Sequence, residues 1–212
     1  MDINYWAATY LAHSTLHAWL KPDSSANKPT PGKPDLPKHF VITSSSAAFV
    51  GVAGYNPYAP GKAALRSLAD GLRSEVLLYN GARTRTSPPS HSEIKIACIF
   101  PGSILSPGYE HENKLKHEVT KILEDGDPRQ TEDEVALASV NGLENGDFLV
   151  ATNYLANLMR VSSMQGTPRN GFGVVDTVLS WVTSVAWLFI GPDMDGKVYK
   201  YGKQHGIEVK SK

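Results

Sequence analysis

Two short apolar runs rich in β-branched residues bracket one amphipathic stretch, and that order restricts the chain more than any other feature. His39-Phe40-Val41-Ile42-Thr43 runs into Ser44-Ser45-Ser46, and Ile94 to Phe100 (IKIACIF) stops at Pro101-Gly102; both read as buried strands ending in polar turns. Between them, Leu65, Leu68, Leu72, Val76 and Tyr79 recur at helical spacing over Ala63 to Tyr79, with Arg66, Asp70, Arg73 and Glu75 off that stripe. Strand, helix and strand in this order make a βαβ unit, so an α/β fold with a parallel sheet and helices on its faces follows. Glu132 to Leu143 predicts a further helix, and Phe148 to Thr152 a further strand. Asp2 to Leu20 places Ile3, Trp6, Ala7, Tyr10, Leu11, Ser14 and Ala18 on one helical stripe.

Two polar stretches interrupt this pattern, 21–38 (KPDSSANKPTPGKPDLPK) and 84–92 (TRTSPPSHS); both read as surface inserts with no core to join. Lys+Arg and Asp+Glu balance at 21 each over 212 residues, which argues against nucleic acid as a partner, since backbone binding needs a clustered positive surplus. The single cysteine, Cys98, excludes a disulfide scaffold or a cysteine-rich zinc module and fits a reducing setting. It lies mid-strand and reads as a small core residue. His13 and His17 are four apart on the first helix, but no third ligand is placed by sequence, so no metal site is expected.

Residues 174–190 (VVDTVLSWVTSVAWLFI) approach the length of a spanning helix, diluted by Asp176, Thr177, Ser180, Thr183 and Ser184. Membrane association is expected, either spanning or lying in the interface, where Trp181 and Trp187 are suited. Gly171-Phe172-Gly173 reads as a hinge before this segment, and Lys197, Lys200, Lys203, Lys210 and Lys212 form a basic tail after it. The domain expectation is therefore residues 1–160 as one α/β part and 161–212 as a membrane-associating end.

The chemistry gathers where the first strand meets the long helix. Tyr58 and Lys62 are four apart and share a helix face. An ammonium there is expected to stabilise the phenolate and lower the tyrosine pKa from about 10. The pair Tyr199 and Lys203 has the same spacing but no strand before it, and reads as a solvated stretch. Ser45, thirteen residues before Tyr58, separates the two cases: it ends a parallel strand, where open α/β sheets place their ligands. Thirteen before Tyr199 stands Ala186.

Residues 41–65 (VITSSSAAFVGVAGYNPYAPGKAAL) resemble the Ser…Tyr-x-x-x-Lys segment of the short-chain dehydrogenase/reductase superfamily. Asn4 within INYWA is similar to that family's active-site Asn, and Pro101-Gly102 to its Pro-Gly after a strand. Within the superfamily, residues 100–124 (FPGSILSPGYEHENKLKHEVTKILE) resemble the substrate loop of the 3-ketodihydrosphingosine reductases. The resemblance implies a Rossmann-type doubly wound parallel sheet and NADPH as cofactor. It also implies a long-chain lipid ketone as substrate, at the cytosolic face of the endoplasmic reticulum membrane. It leaves a homo-oligomer open.

Residue by residue, it makes Tyr58 the proton donor and Ser45 the donor to the same oxygen, with Ser44 as the rival. Lys62 would tune Tyr58 and hold the nicotinamide ribose, and Asn4 would position a water. Pro101, Gly102, Ile104 and Ser106 would line the nicotinamide and phosphates. Pro60-Gly61 replaces the family's usual Ala-Ser, which requires the helix to start close to Tyr58. The glycine-rich turn of a dinucleotide-binding βαβ has no counterpart before Asn4, so the expectation is a sheet lacking that N-terminal unit, with Met1 internal to a longer reading frame. Two alternatives stand beside sphingoid-base synthesis: a short-chain reductase of steroid, retinoid or fatty-acyl ketones, or a catalytically silent, membrane-attached fragment.

Overall fold

The computed structural model describes residues 1–20, 36–49, 52, 54–85, 92–116, 120–121, 124, 126–161 and 163, with scattered positions between 174 and 204. Most of the two predicted inserts and the Gly171-Phe172-Gly173 hinge lie outside the described residues. One turn of π-helix, Asp2–Trp6, leads into α1, Ala7–Leu20. Strand β1 (Lys38–Thr43) is followed by a 3₁₀ turn at Ser46–Ala48 and the long helix α2 (Ala59–Arg83). Then come β2 (Ile94–Phe100), β3 (Ser103–Ile104), α3 (Pro107–Leu115) and β4 (Arg129–Gln130). Helix α4 (Glu132–Glu144), β5 (Leu149–Ala151) and α5 (Tyr154–Val161) complete the order.

Among the described residues the main sheet has the order β1-β2-β5, and β3 pairs with β4 in a second, two-stranded sheet. Cys98, Ile99 and Phe100 stand opposite Leu149, Val150 and Ala151 in parallel register. Every residue of β2 but Lys95 is buried, as expected of a parallel strand covered on both faces. The strand and helix order is that of a Rossmann-type α/β sheet, in line with the sequence.

The chain clusters into two compact units. The first comprises Met1–Ala8, Val41–Ser67 and Ala97–Thr177. Its core holds Ile42, Leu65, Cys98, Phe100 and Val150, and the Phe49 and Phe100 rings pack at 4.4 Å between centroids. A Cβ at position 142 would overlap the Val150 side chain, so Gly142 is what lets α4 lie directly on β5. Helix α4 starts at a capping box, in which Thr131 and Glu134 satisfy each other's backbone donors.

The second unit comprises Thr9–Phe40, Leu68–Ile96 and Val178–Lys212. Here Asn80 clasps the first residue of β2: its amide donates to the Ile94 carbonyl at 2.7 Å, and its side-chain oxygen accepts from Ile94 N at 3.1 Å. Tyr79 donates to the Ser92 carbonyl at 3.1 Å.

Three expectations are corrected. The first apolar stripe is not the packing face: Ile3, Tyr10 and Leu11 are exposed, while Ala12 and Leu16 are buried. Within α1 the stripe residues Ala7, Tyr10, Leu11, Ser14 and Ala18 are all exposed, and the covered side is the one that carries Ala12 and Leu16. Helix α2 starts at Ala59, as Pro60-Gly61 requires, but runs on to Arg83, past the stripe that ends at Tyr79. The Tyr199–Lys203 stretch is not merely solvated, because its backbone lies against Gly81, where a Cβ would collide with the Tyr199 carbonyl. Among the described residues no helix is long and apolar enough to cross a membrane.

Candidate active site at the strand ends

Within the first unit, a cavity of about 690 Å³ opens where β1 and β2 end, lined by Ser45, Tyr58, Lys62, Gly102, Ile104 and Glu112 among others. Its serine wall follows from strand geometry, in which successive side chains turn to opposite faces. Ser44 is buried and donates its hydroxyl to the Lys62 carbonyl at 2.8 Å. Ser45, in extended backbone, accepts from Ala47 N at 3.2 Å and caps the 3₁₀ turn. Its side chain also stands near enough to Tyr58 to act on the phenol, and both line the cavity. The two candidate serines are therefore distinct: one locks β1 to α2, and the other meets the tyrosine.

Tyr58 sits where the chain enters α2. Its amide donates to the Tyr55 carbonyl at 2.9 Å, and its own carbonyl accepts from Lys62 N at 3.2 Å. Since the helix begins at Ala59, Pro60 falls in its first turn, where a missing N–H costs nothing. A Cβ on Gly61 would touch the Asn4 Cβ at 3.2 Å. Asn4 is thus packed beside this first turn, although it is not part of the cavity lining.

The electrostatics differ from the expectation that Lys62 lowers the Tyr58 pKa. Burial pushes the Tyr58 phenol up; the nearby Ser45 hydroxyl opposes this and the Glu112 charge adds to it. Lys62 is not at the phenol oxygen: its ammonium donates to the Thr43 carbonyl at 3.2 Å and lies 5.5 Å from the centre of the Tyr58 ring. Over a ring face the cation meets the π-cloud and not the oxygen, so desolvation wins and the phenol stays protonated. Burial also pushes the Lys62 ammonium down.

The opposite wall is the loop after β2. Ser46 N donates to the Pro101 carbonyl at 2.9 Å. Gly102 lies so close to the Asn153 amide that a side chain there would displace it. Asn153 is in turn held by Gln130 at 3.2 Å. Leu105 N donates to the Gln130 carbonyl at 2.8 Å, and Ile104 pairs with Gln130 in parallel register. In such a ladder the residue between the two bonded neighbours turns its own backbone groups to the other side. Ser106 caps α3, accepting from Tyr109 N at 3.2 Å.

Sequence reasoning missed a polar cluster on this cavity. Lys116 bridges Glu124 at 2.7 Å and Glu112 at 3.2 Å. Tyr55 donates to Glu124 and, at 3.3 Å, to Glu112. Burial and Glu124 push the Tyr55 phenol up. Glu112 and Lys116 carry a readable i,i+4 spacing; Tyr55 and Glu124, 69 residues apart, carry none. Outside the site, His13 and His17 stack at 5.9 Å. No group of three or more metal-binding side chains occurs among the described residues.

No family model matches the sequence. The chain is 43% identical over 212 residues to the 3-ketodihydrosphingosine reductase of Aspergillus fumigatus, covering 98% of this chain and 56% of that protein. It is 35% identical over 206 residues to the Neurospora crassa 3-ketodihydrosphingosine reductase, covering 97% of this chain and 52% of the relative. A Cryptococcus neoformans 3-ketodihydrosphingosine reductase is 34% identical over 185 residues, 87% of this chain and 48% of that one. The chain spans about half the length of the curated relatives it matches, and along that half it is related by sequence to the fungal 3-ketodihydrosphingosine reductases.

Proposed function

We propose that this chain carries the ketone-reducing site of a 3-ketodihydrosphingosine reductase, converting 3-ketodihydrosphingosine to dihydrosphingosine with NADPH. The observation that carries the reading is the gathering of Ser45, Tyr58 and Lys62 on one cavity at the end of a parallel strand, in a chain related to proteins of that name. NADPH, when bound, supplies the hydride to the ketone carbon. Tyr58 gives its proton to the ketone oxygen as that oxygen becomes an alkoxide. A phenol pushed up by burial holds that proton at neutral pH. Ser45 donates to the same oxygen and stabilises the charge developing on it. Lys62 holds the nicotinamide ribose and returns a proton to Tyr58 through a water positioned by Asn4.

The loop after β2 fits the nicotinamide end of such a cofactor. Gly102 brings no side chain into the cavity, Ile104 faces it with backbone groups turned away from β4, and Ser106 opens α3 with its first-turn amides. A helix start of this kind suits phosphate oxygens.

We also infer attachment to the endoplasmic reticulum membrane, with the site on the cytosolic side. Val178, Trp181, Val185 and Leu188 recur at helical spacing and are exposed, a stripe suited to the membrane interface.

The test is reduction of 3-ketodihydrosphingosine with NADPH by the protein that carries this chain. Tyr58→Phe is expected to lower kcat by about 10²-fold or more, the scale of a lost general acid, with little change in KM. Undiminished turnover by that variant removes Tyr58 as the proton donor.

A further inference from the structure

The cavity wall facing the serines carries charge that the chemistry at Tyr58 does not use. Three carboxylates, on Glu112, Glu124 and Asp127, line the cavity against two ammonium groups, on Lys62 and Lys116. Both cations are engaged: Lys62 donates to Thr43, and Lys116 is shared between Glu124 and Glu112. The Lys116 side chain is 5% exposed and that of Glu124 12%, whereas that of Glu112 is 52% exposed. The ion pair therefore holds Glu112 from one side and leaves the rest of its carboxylate open.

The location is as informative as the charge. The Tyr55 and Tyr58 rings are 5.9 Å apart, and the Tyr55 hydroxyl reaches Glu112 at 3.3 Å. Glu112 thus lines the same cavity as the residue proposed to protonate the ketone, with the Tyr55 ring in contact with both. The Lys116 ammonium lies 5.5 Å and 5.0 Å from the ring centres of Tyr55 and Tyr109, which fixes α3, and with it Glu112, against that wall. The ketone named for the relatives bears an amine on the carbon next to the carbonyl. At neutral pH that amine is an ammonium, a few ångströms from the oxygen that Ser45 and Tyr58 address.

We propose that Glu112 is a specificity-determining residue that receives the ammonium on the carbon adjoining the substrate ketone, so that the cavity selects 2-amino ketones over plain long-chain ketones. This inference rests on the reductase reading above and adds the group that distinguishes one ketone from another.

The experiment compares 3-ketodihydrosphingosine with the same-length 3-ketone lacking the amine, using the protein that carries this chain. The wild type is expected to favour the amino ketone in kcat/KM by about 10- to 100-fold, the range of one charge-assisted hydrogen bond. Glu112→Gln is expected to erase that preference, lowering kcat/KM for the amino ketone far more than for the amine-free ketone, and Glu112→Asp to restore part of it. The proposal is overturned if the wild type shows no preference, if Glu112→Gln keeps it, or if both ketones lose equally, as a merely structural role would require. Binding of dihydrosphingosine against the amine-free alcohol, followed by intrinsic fluorescence, tests the same preference without turnover. If neither ketone is reduced but the wild type binds the amine more tightly and Glu112→Gln does not, the reductase reading fails and the assignment of Glu112 stands.

Discussion

Ser44 and Ser45 are adjacent and chemically identical, so their alanine variants make a sharp test of the site. Ser44→Ala removes, from a residue that is 3% exposed, the hydroxyl that donates to the Lys62 carbonyl at 2.8 Å. That carbonyl, in the first turns of α2, still has its helical partner, so the loss is one intramolecular hydrogen bond of about 1 kcal/mol. For a chain of this size the melting temperature should fall by roughly 2–4 °C. Turnover should change by no more than a few-fold, because the side chain does not meet Tyr58.

Ser45→Ala removes the cap on the 3₁₀ turn, worth about 0.5–1 kcal/mol at a partly exposed end, and the hydroxyl beside the phenol. Loss of one donor to a developing oxyanion lowers kcat by about 10²- to 10³-fold, equivalent to roughly 2.7–4 kcal/mol. The assay is ketone-dependent NADPH oxidation alongside urea unfolding followed by circular dichroism. The two variants should be alike in stability to within about 1 kcal/mol and differ by two orders of magnitude or so in turnover. A catalytically dead Ser44→Ala with an active Ser45→Ala refutes the assignment of roles from strand alternation.

Three further outcomes are expected. Asn80→Ala strips both partners from the Ile94 backbone and should cost about 2–4 kcal/mol of stability in urea titrations; a loss below about 0.5 kcal/mol would mean the clasp is not formed. Tyr58 and Tyr55 should ionise above the ordinary tyrosine value of 10.0. A group kept neutral in the folded state makes stability flat below pH 10 and lets it fall above, as the unfolded chain releases protons that the folded one retains; Tyr58→Phe should reduce the steepness of that fall, and an unchanged alkaline slope would falsify the burial argument. Trp181→Ser combined with Leu188→Ser should weaken co-sedimentation with anionic phospholipid vesicles by about 1.5–3 kcal/mol per buried side chain; equal sedimentation of variant and wild type would exclude this stripe as the attachment.

What could be read from the sequence is what local pattern determines. The run IKIACIF spans β2 from its first residue to its last, because a strand buried on both faces needs a continuous apolar run bounded by punctuation. Pro60 located the start of α2 correctly, since its ring is tolerated there and nowhere deeper. The exposed stripe of α1 was not legible in its true role, because periodicity shows that a helix has an apolar side and not which neighbours cover it. The state of Tyr58 was misjudged for a similar reason. An i,i+4 spacing places Lys62 on the same face, but whether its ammonium reaches the oxygen or the ring depends on the competing Thr43 carbonyl. Tyr55 and Glu124 lay beyond reach altogether, being joined only by the fold.

Gln130 gives the site its mechanical character. Its backbone carbonyl receives Leu105 N, its side-chain nitrogen donates to the Thr152 carbonyl at 2.9 Å, and its side-chain oxygen accepts from Thr152 and Asn153. One amide therefore splices the segment after β2 to the segment after β5, and through Asn153 reaches the edge of Gly102. These loops are thereby tied into a single jaw. Attempts to retarget the cavity should leave that jaw intact and vary α3, whose Glu112 and Lys116 belong to a separate set of contacts.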